Sequence, residues 1–191
     1  MIRNTVLGAL FSLLAAFPGQ DKKTGAEVLF APTGDRRLLE DRISQELASA
    51  KREIVVAMYQ FTSSQLSEGL LRAKRKGIAV RVLLDGLQAA ESGKFASAIR
   101  ALDDGGIDLR YVYADGQKRK GGGAFRPRFH HKFCVIDGER VLTGSYNWTV
   151  QGDTDNHENL LILLQRDVAR KYLDRFEEIW KNDGLVQKEL P

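Results

Sequence analysis

Apolar and polar positions alternate along this chain in two rhythms that take turns, one of period two and one of period near four. Ala26–Ala31 is a short apolar run that reads as a buried strand, closed by Pro32 and a turn at Thr33-Gly34-Asp35. Leu39, Ile43 and Leu47 then recur every four residues, which predicts an amphipathic helix. Glu53–Tyr59 is a second apolar strand. Ser63 or Ser64 can cap a helix that buries Leu66, Leu70 and Ala73 and stops at Gly77. Ile78–Asp85 follows as a third strand, a helix is expected over Lys94–Asp104, and Asp108–Tyr113 forms another strand. Strand, helix, strand with short connections implies parallel pairing through right-handed crossovers.

The second half is richer in strands. Phe129–Ile136, Arg140–Gly144 and Leu160–Leu164 are three apolar runs, and a last helix carries Val168, Tyr172, Phe176 and Ile179 inward from about Asp167 to Lys181. The pattern predicts an α/β sandwich, a mixed central β-sheet flanked by helices on both faces. At 191 residues there is room for one domain, drawn here as residues 26–182, with a tail over 183–191. Ahead of it, Thr5–Phe17 is uncharged and mostly apolar, preceded by Arg3 and stopped by Pro18-Gly19. A membrane span needs about 20 such residues. Residues 1–17 therefore read as a secretory signal peptide or a marginal signal anchor, with an apolar first helix as the alternative, and 18–25 as a linker. The reading places the protein in an exported compartment, on a membrane if the segment is retained.

Composition adds two constraints. With 43% hydrophobic and 28% charged residues the chain is neither disordered nor a polytopic membrane protein, and its net charge of +4 favours anionic partners. Cys134 is the one cysteine, so a cysteine-based metal site and an intramolecular disulfide are both excluded. Charge is concentrated in Gln117–Arg128, where Lys118, Arg119, Lys120, Arg126 and Arg128 accompany three glycines and no acid. A solvated loop would look the same. Its position directly before the histidine pair suggests a groove for a polyanion.

The chain has three histidines, His130, His131 and His157. On a strand of period two, His130, Lys132 and Cys134 share one face and His131 the other. An imidazole and an ammonium about 7 Å apart along the backbone suit one oxyanion, the first attacking and the second neutralising. Lys132 on an apolar sheet face is costly unless it meets an anion. Beyond the Asp137-Gly138 turn, Gly144 permits close backbone approach, and Ser145 and Asn147 share a face if the strand continues. Glu158, ahead of the next strand, can accept an imidazole N–H and fix its tautomer. Ser145 lacks the Gly-x-Ser-x-Gly surroundings of a hydrolase nucleophile. A metal set from His130, His131, His157 and Glu158 requires two neighbouring strand residues to reach one ion.

The series His130-x-Lys132-x4-Asp137-x6-Gly144-Ser145-x-Asn147 resembles the phospholipase D superfamily motif at every fixed position and in both spacings. Asn156-His157-Glu158-Asn159 is similar to the glutamate-bearing segment of the small single-motif members, the bacterial endonucleases and the mitochondrial phospholipase D-like proteins. The zinc-finger insert of the animal mitochondrial members has no counterpart here. The resemblance covers roughly Glu27 to Trp180 and implies a metal-independent phosphodiesterase needing no cofactor, with a phosphohistidine formed on one histidine and a second histidine protonating the leaving oxygen. It also implies that Lys132, Ser145 and Asn147 bind phosphate, that Glu158 holds His130, and that Asp137 supports the site. Since no second His-x-Lys occurs in the chain, a homodimer with a shared site is expected. Nucleic acid is the expected substrate; phospholipid head groups, or nucleic-acid binding without catalysis, are the alternatives.

Overall fold

The computed structural model describes residues 25–34, 37–91, 97–114 and 127–188. Residues 1–17, the linker up to residue 24, and the basic residues Lys118, Arg119, Lys120 and Arg126 lie outside them. The described elements run β1 (Ala26–Ala31), α1 (Leu38–Ala48), β2 (Glu53–Met58), α2 (Ser64–Arg75), β3 (Ala79–Asp85), α3 (Gly86–Glu91), α4 (Ser97–Asp104), β4 (Asp108–Val112), β5 (Lys132–Ile136), β6 (Arg140–Gly144), α5 (Val150–Thr154), β7 (Glu158–Leu164), α6 (Arg166–Trp180) and β8 (Val186–Gln187). They build one eight-stranded sheet in the order β1-β7-β6-β5-β2-β3-β4-β8. The pairs β2–β3 and β3–β4 are parallel and the others antiparallel, which gives the mixed sheet that the pattern predicts.

Each face of the sheet has its own apolar layer. Leu39, Ile43 and Leu47 of α1, Leu66 and Leu70 of α2, and Ile99 and Leu102 of α4 pack on Ile54, Val56, Val82, Cys134 and Leu142. On the opposite face α6 lays Ala169, Phe176, Ile179 and Trp180 on Val55, Ala57, Leu83, Phe133 and Val135. The interior strands are therefore apolar on both sides, as central strands of a two-layer cover must be. Ser63 caps α2 by accepting the Leu66 N–H at 3.0 Å, as its position in the sequence foretold. The cap of α1 comes instead from far along the chain: Asp153 accepts the N–H groups of Leu39 (3.1 Å) and Glu40 (2.8 Å).

Several boundaries differ from the pattern-based reading. The strand β1 is an edge, not a buried strand, with Val28 54% and Phe30 63% exposed. Helix α6 packs across β2, β5, β6 and β7, so this outermost strand keeps an open apolar face. Of the helix expected over Lys94–Asp104, residues 94–96 lie outside the described residues and the rest is α4, while a separate α3 follows directly on β3. Asp167 lies in the first turn of α6 rather than at its cap, Gln165. The short α5 escaped notice because five residues hold too little periodicity. The tail is part of the fold: Val186 and Gln187 pair with Val112 and Tyr111.

A charged network closes the face beneath α1. Arg42 of α1 bonds Glu27 of β1 at 2.8 Å and Glu46 at 2.5 Å, with all three side chains below a tenth exposed. Arg140 of β6 ion-pairs with Glu46 and reaches Ser49 Oγ at 2.8 Å. Removing the central cation leaves two carboxylates buried without it, a change that typically costs about 3–5 kcal/mol. Arg42→Ala is expected to lose stability in that range, read from the urea midpoint at unchanged slope. A loss below about 1 kcal/mol would show that the network adds little.

Candidate active site

All the motif residues except Asp137 meet at one end of the sheet, where β2, β3 and β6 end and β5 and β7 begin. In mixed α/β sheets this carboxyl end of the parallel strands is where ligands gather. Strand β5 starts at Lys132, opposite Met58 of β2, so His130 precedes the strand rather than opening it. The expected facing survives: Lys132 Nζ lies 3.3 Å from both imidazole nitrogens of His130 and donates to the His130 carbonyl at 3.1 Å. Contact with both nitrogens sets the ammonium against the ring, not along one lone pair. Tyr59, the residue after β2, completes the cluster. Its ring centroid is 4.5 Å from that of His130 and 5.0 Å from Lys132 Nζ. The ammonium thus has an aromatic face under it, a favourable placement for a partly desolvated cation.

His131 points the other way, edge-on between Phe129 (5.1 Å) and Phe133 (5.5 Å) in the α6 layer. It is a packing residue. His157 is exposed, and among the described residues no three His, Cys, Asp or Glu side chains come together as a metal-ligand set.

Strand β6 ends at Gly144, and Ser145 and Asn147 sit in the loop beyond it. Gly144 has φ +152, and a Cβ there would fall 2.2 Å from the Asn159 carbonyl oxygen, so the position admits no side chain. This close approach lets β7 come alongside. Ser145 Oγ donates to Glu158 Oε2 and accepts the Asn159 N–H at 3.1 Å and its side-chain amide at 3.3 Å. Asn156 donates to the other Glu158 oxygen at 3.4 Å. Glu158 therefore faces Ser145 within the chain, instead of the bond to His130 that the resemblance implies. The Asn147 loop is pinned to the segment after β2 by the Trp148 carbonyl, which accepts the N–H groups of Thr62 (2.9 Å) and Ser63 (3.0 Å). Asn147 Oδ1 is buried and has no hydrogen-bond partner among the described residues.

Two members of the expected set do other work. Asp137 lies at the far end of β5, five residues of strand from Lys132, which is about 16 Å at strand rise. Its carboxylate accepts the N–H groups of Lys51 (3.0 Å), Arg52 (2.7 Å) and Glu53 (3.1 Å) at the start of β2. Its positive φ of 56, followed by Gly138 at 67, forms the tight turn into β6. It supports the site through the fold and cannot touch a phosphate at His130. Arg128, expected in a substrate groove, is tied down by Asp85 (3.6 Å) and Glu91 (3.4 Å).

Electrostatics follow from this crowding. Partial burial and then the Lys132 charge hold the His130 imidazole below its ordinary pKa, against the opposing pull of Asp85. Burial lowers that of Lys132 too, with Glu158 opposing. The shift favours the neutral imidazole, which has a lone pair available. Two clefts flank the cluster. One of about 420 Å³ is lined by Gln60, Thr62, Gln88, Glu91, Thr149, Gln151 and Asn156. The other, about 180 Å³, is lined by His130, His131, Arg128 and Arg175 together with Val112, Ile179 and Leu185. Sequence reasoning missed Tyr59 and Asn159. Tyr59 could have been suspected from its place at the end of an apolar strand, whereas Asn159 gave no separate signal.

Comparison with known proteins agrees with this fold. Residues 43–180 match the family described as cardiolipin synthase, phospholipase D-like domain. Mitochondrial cardiolipin hydrolase of Xenopus tropicalis is 35% identical over 135 residues, 71% of this chain and 58% of that protein. Phospholipase D of Rickettsia prowazekii is 30% identical over 135 residues, 70% of this chain and 58% of its own length. The chain thus spans under three-fifths of either relative. Among solved structures, the phospholipase D family member Nuc from Salmonella typhimurium superposes with a TM-score of 0.69 at 26% identity, covering 87% of this chain and 98% of that one.

The lysine's effect on the histidine can be measured directly. Removing the positive charge takes away one cause of the lowered pKa, so Lys132→Met is expected to raise the His130 titration midpoint toward about 6.5. With three histidines in the chain, ring resonances can be assigned by substitution and followed by NMR. An unmoved midpoint would mean that the ammonium does not face the ring in solution.

Proposed function

The chain belongs to the phospholipase D-like family, and we propose that it is a metal-independent phosphodiesterase, most simply an endonuclease of low sequence preference, that works as a homodimer. The observation that carries the reading is the contact between the exposed His130 imidazole and the half-buried Lys132 ammonium, at a sheet end that also gathers Ser145, Asn147 and Glu158. His130 attacks phosphorus, the P–O bond to the leaving group breaks, and a phosphohistidine forms. A second imidazole, entering the step as the imidazolium, gives its proton to the departing oxygen and, now neutral, takes a proton from the water that releases the phosphate. The lysines offset charge on the phosphoryl oxygens as it develops. Asn147 offers its amide to the same oxygens.

One chain holds one His-x-Lys pair, and His131 and His157 both lie away from it, so the second imidazole comes from the partner's His130 across a two-fold axis. Glu158, occupied by Ser145 within its own chain, keeps the hydroxyl and the neighbouring strand in place; contact with an imidazole would then belong to the assembled site.

For nucleic acid speak the net charge of +4, the basic run before Arg128, and the 420 Å³ cleft, whose seven lining residues offer amides, hydroxyls and one carboxylate but no hydrocarbon side chain. Bases and sugars suit such walls; acyl chains do not. A second reading, cleavage of a phospholipid head group, rests on the other cleft, where Val112, Ile179 and Leu185 flank Arg128 and Arg175, and on the relatives named for cardiolipin and phospholipids. The N-terminal run of residues 5–17 would carry the protein out of the cytoplasm or to a membrane under either reading.

His130→Asn is expected to abolish turnover, by at least about 10³-fold as for loss of a nucleophile, and excess EDTA to leave the unaltered protein active. In co-refolded mixtures with that variant, activity should fall as the square of the wild-type fraction; a linear fall would mean that each chain works alone. Single- and double-stranded DNA at low salt should be cut and cardiolipin vesicles spared, with rates dropping steeply as salt rises. Cleavage of vesicles with DNA intact would establish the lipid reading instead.

A further inference from the structure

His130 sits outside regular secondary structure, in the segment 127–131 that leads into β5, so something other than a strand ladder must hold it. Three groups do so from different directions, and one of them is a carboxylate that the motif does not contain. Asp85, the last residue of β3, is 1% exposed. Its Oδ2 accepts the backbone N–H of Phe129, the residue before His130, at 2.7 Å. Its Oδ1 accepts the N–H of Gln88 in the first turn of α3 at 2.8 Å and lies 3.6 Å from the Arg128 guanidinium. Arg128 continues to Glu91 at 3.4 Å, and Gln88 bonds both Gln60 (2.6 Å) and Glu91 (2.7 Å). The next residue, Gly86, lies so close to Tyr113 that a Cβ there would come within 2.4 Å of the ring, which fixes where the carboxylate can stand.

A buried carboxylate is costly, and its cost falls when several N–H donors and a cation converge on it. Here all the donors belong to the two residues ahead of the histidine or to the helix after β3. We propose that Asp85 is a positioning residue for the nucleophile, its carboxylate holding the Arg128–Phe129 backbone so that His130 stands between Tyr59 and Lys132 with its ring presented to phosphorus. The proposal rests on the phosphodiesterase reading for its kinetic consequence, but not for its structural one. Asp85 touches neither the reacting atoms nor the substrate. It acts through one peptide N–H and through its field, since its negative charge favours the imidazolium while Lys132 opposes it. The other groups facing the ring or its immediate support are the Tyr59 phenol on β2's extension, Arg128 ahead of it, His131 behind it with Arg175 of α6 beyond, and the buried Tyr113 phenol, which feels the Asp85 charge.

The isosteric Asp85→Asn is the deciding variant, because it keeps the volume and one acceptor oxygen. It loses the charge and turns an N–H donor toward either Phe129 or Gln88. Turnover of a chromogenic phosphodiester is expected to fall by about 10- to 100-fold in kcat with KM changed by less than about threefold, the size usual for loss of a residue that orients a reacting group. The His130 midpoint should move down, because a favouring anion is gone, and the acid limb of the kcat/KM profile should move with it. Asp85→Glu, which restores the charge at a shifted position, should recover the midpoint but not kcat. By NMR, the ring contact between His130 and Tyr59 should weaken in Asp85→Asn at full folded fraction. Unchanged kcat, or a loss matched by the fraction unfolded with the midpoint and the Tyr59 contact as in wild type, would overturn the proposal. If the unaltered protein cleaves no phosphodiester, the functional reading fails, and the NMR titration still decides whether Asp85 sets the histidine.

Discussion

The register between β5 and β2 is the constraint on which the rest hangs, and one carboxylate sets it. Asp137 collects three consecutive N–H groups at the start of β2 while its own backbone turns into β6. That clamp puts Ile136 opposite Ile54 and, four residues on, Lys132 opposite Met58. Side chains on a strand alternate, so a slip of a single residue would carry Lys132 to the α6 face and Phe133 to the site. A residue at one end of the sheet thereby decides which groups appear at the other. The fixed spacing between Lys132 and Asp137 in the motif is the length of the strand between a clamp and a site.

At the site end, the design sets two groups with competing demands against each other. Lys132 is partly desolvated, leans on the Tyr59 ring, and adds to the burial that depresses the basicity of the histidine proposed as the nucleophile. A less basic imidazole is a weaker nucleophile per molecule but is unprotonated over a wider pH range, and the ammonium that helps to lower it is also a ready partner for an oxyanion. Glu158 acts on the lysine from β7 through its charge while its carboxylate accepts the Ser145 hydroxyl, so the same group supports the cation and the loop beyond β6. Such a pairing favours binding of an oxyanion over a neutral ligand without any further specificity.

Much of this could be read from the order of residues, and the failures have physical causes. Strong periodicity located the helices under Leu39–Leu47 and Leu66–Ala73, and the contact of His130 with Lys132 followed from strand alternation alone, although His130 lies just outside the strand. Burial of β1 was misread because an apolar run does not say how many neighbours its strand will have; at the edge, Val28 and Phe30 stay open. That Arg128 is held by Asp85 and Glu91 could not be read locally, because charge counting cannot see carboxylates arriving from elsewhere in the chain. Tyr59, Asp85 and Asn159 went unnoticed for the same reason: each acts at the end of a strand whose neighbours are known only once the sheet order is known.

The way β1 is attached has a mechanical meaning. Its antiparallel ladder with β7 begins where the Leu164 N–H meets the Gly25 carbonyl at 2.7 Å and ends where Ala31 faces Glu158. A load applied through the residues that precede Gly25 would open this ladder like a zipper, starting at the Leu163 end and reaching Glu158 last. The glutamate therefore sits at the sheltered end of the seam, and tension on the front of the chain would be spent on five pairs of residues before it reached Glu158 and its bond to Ser145.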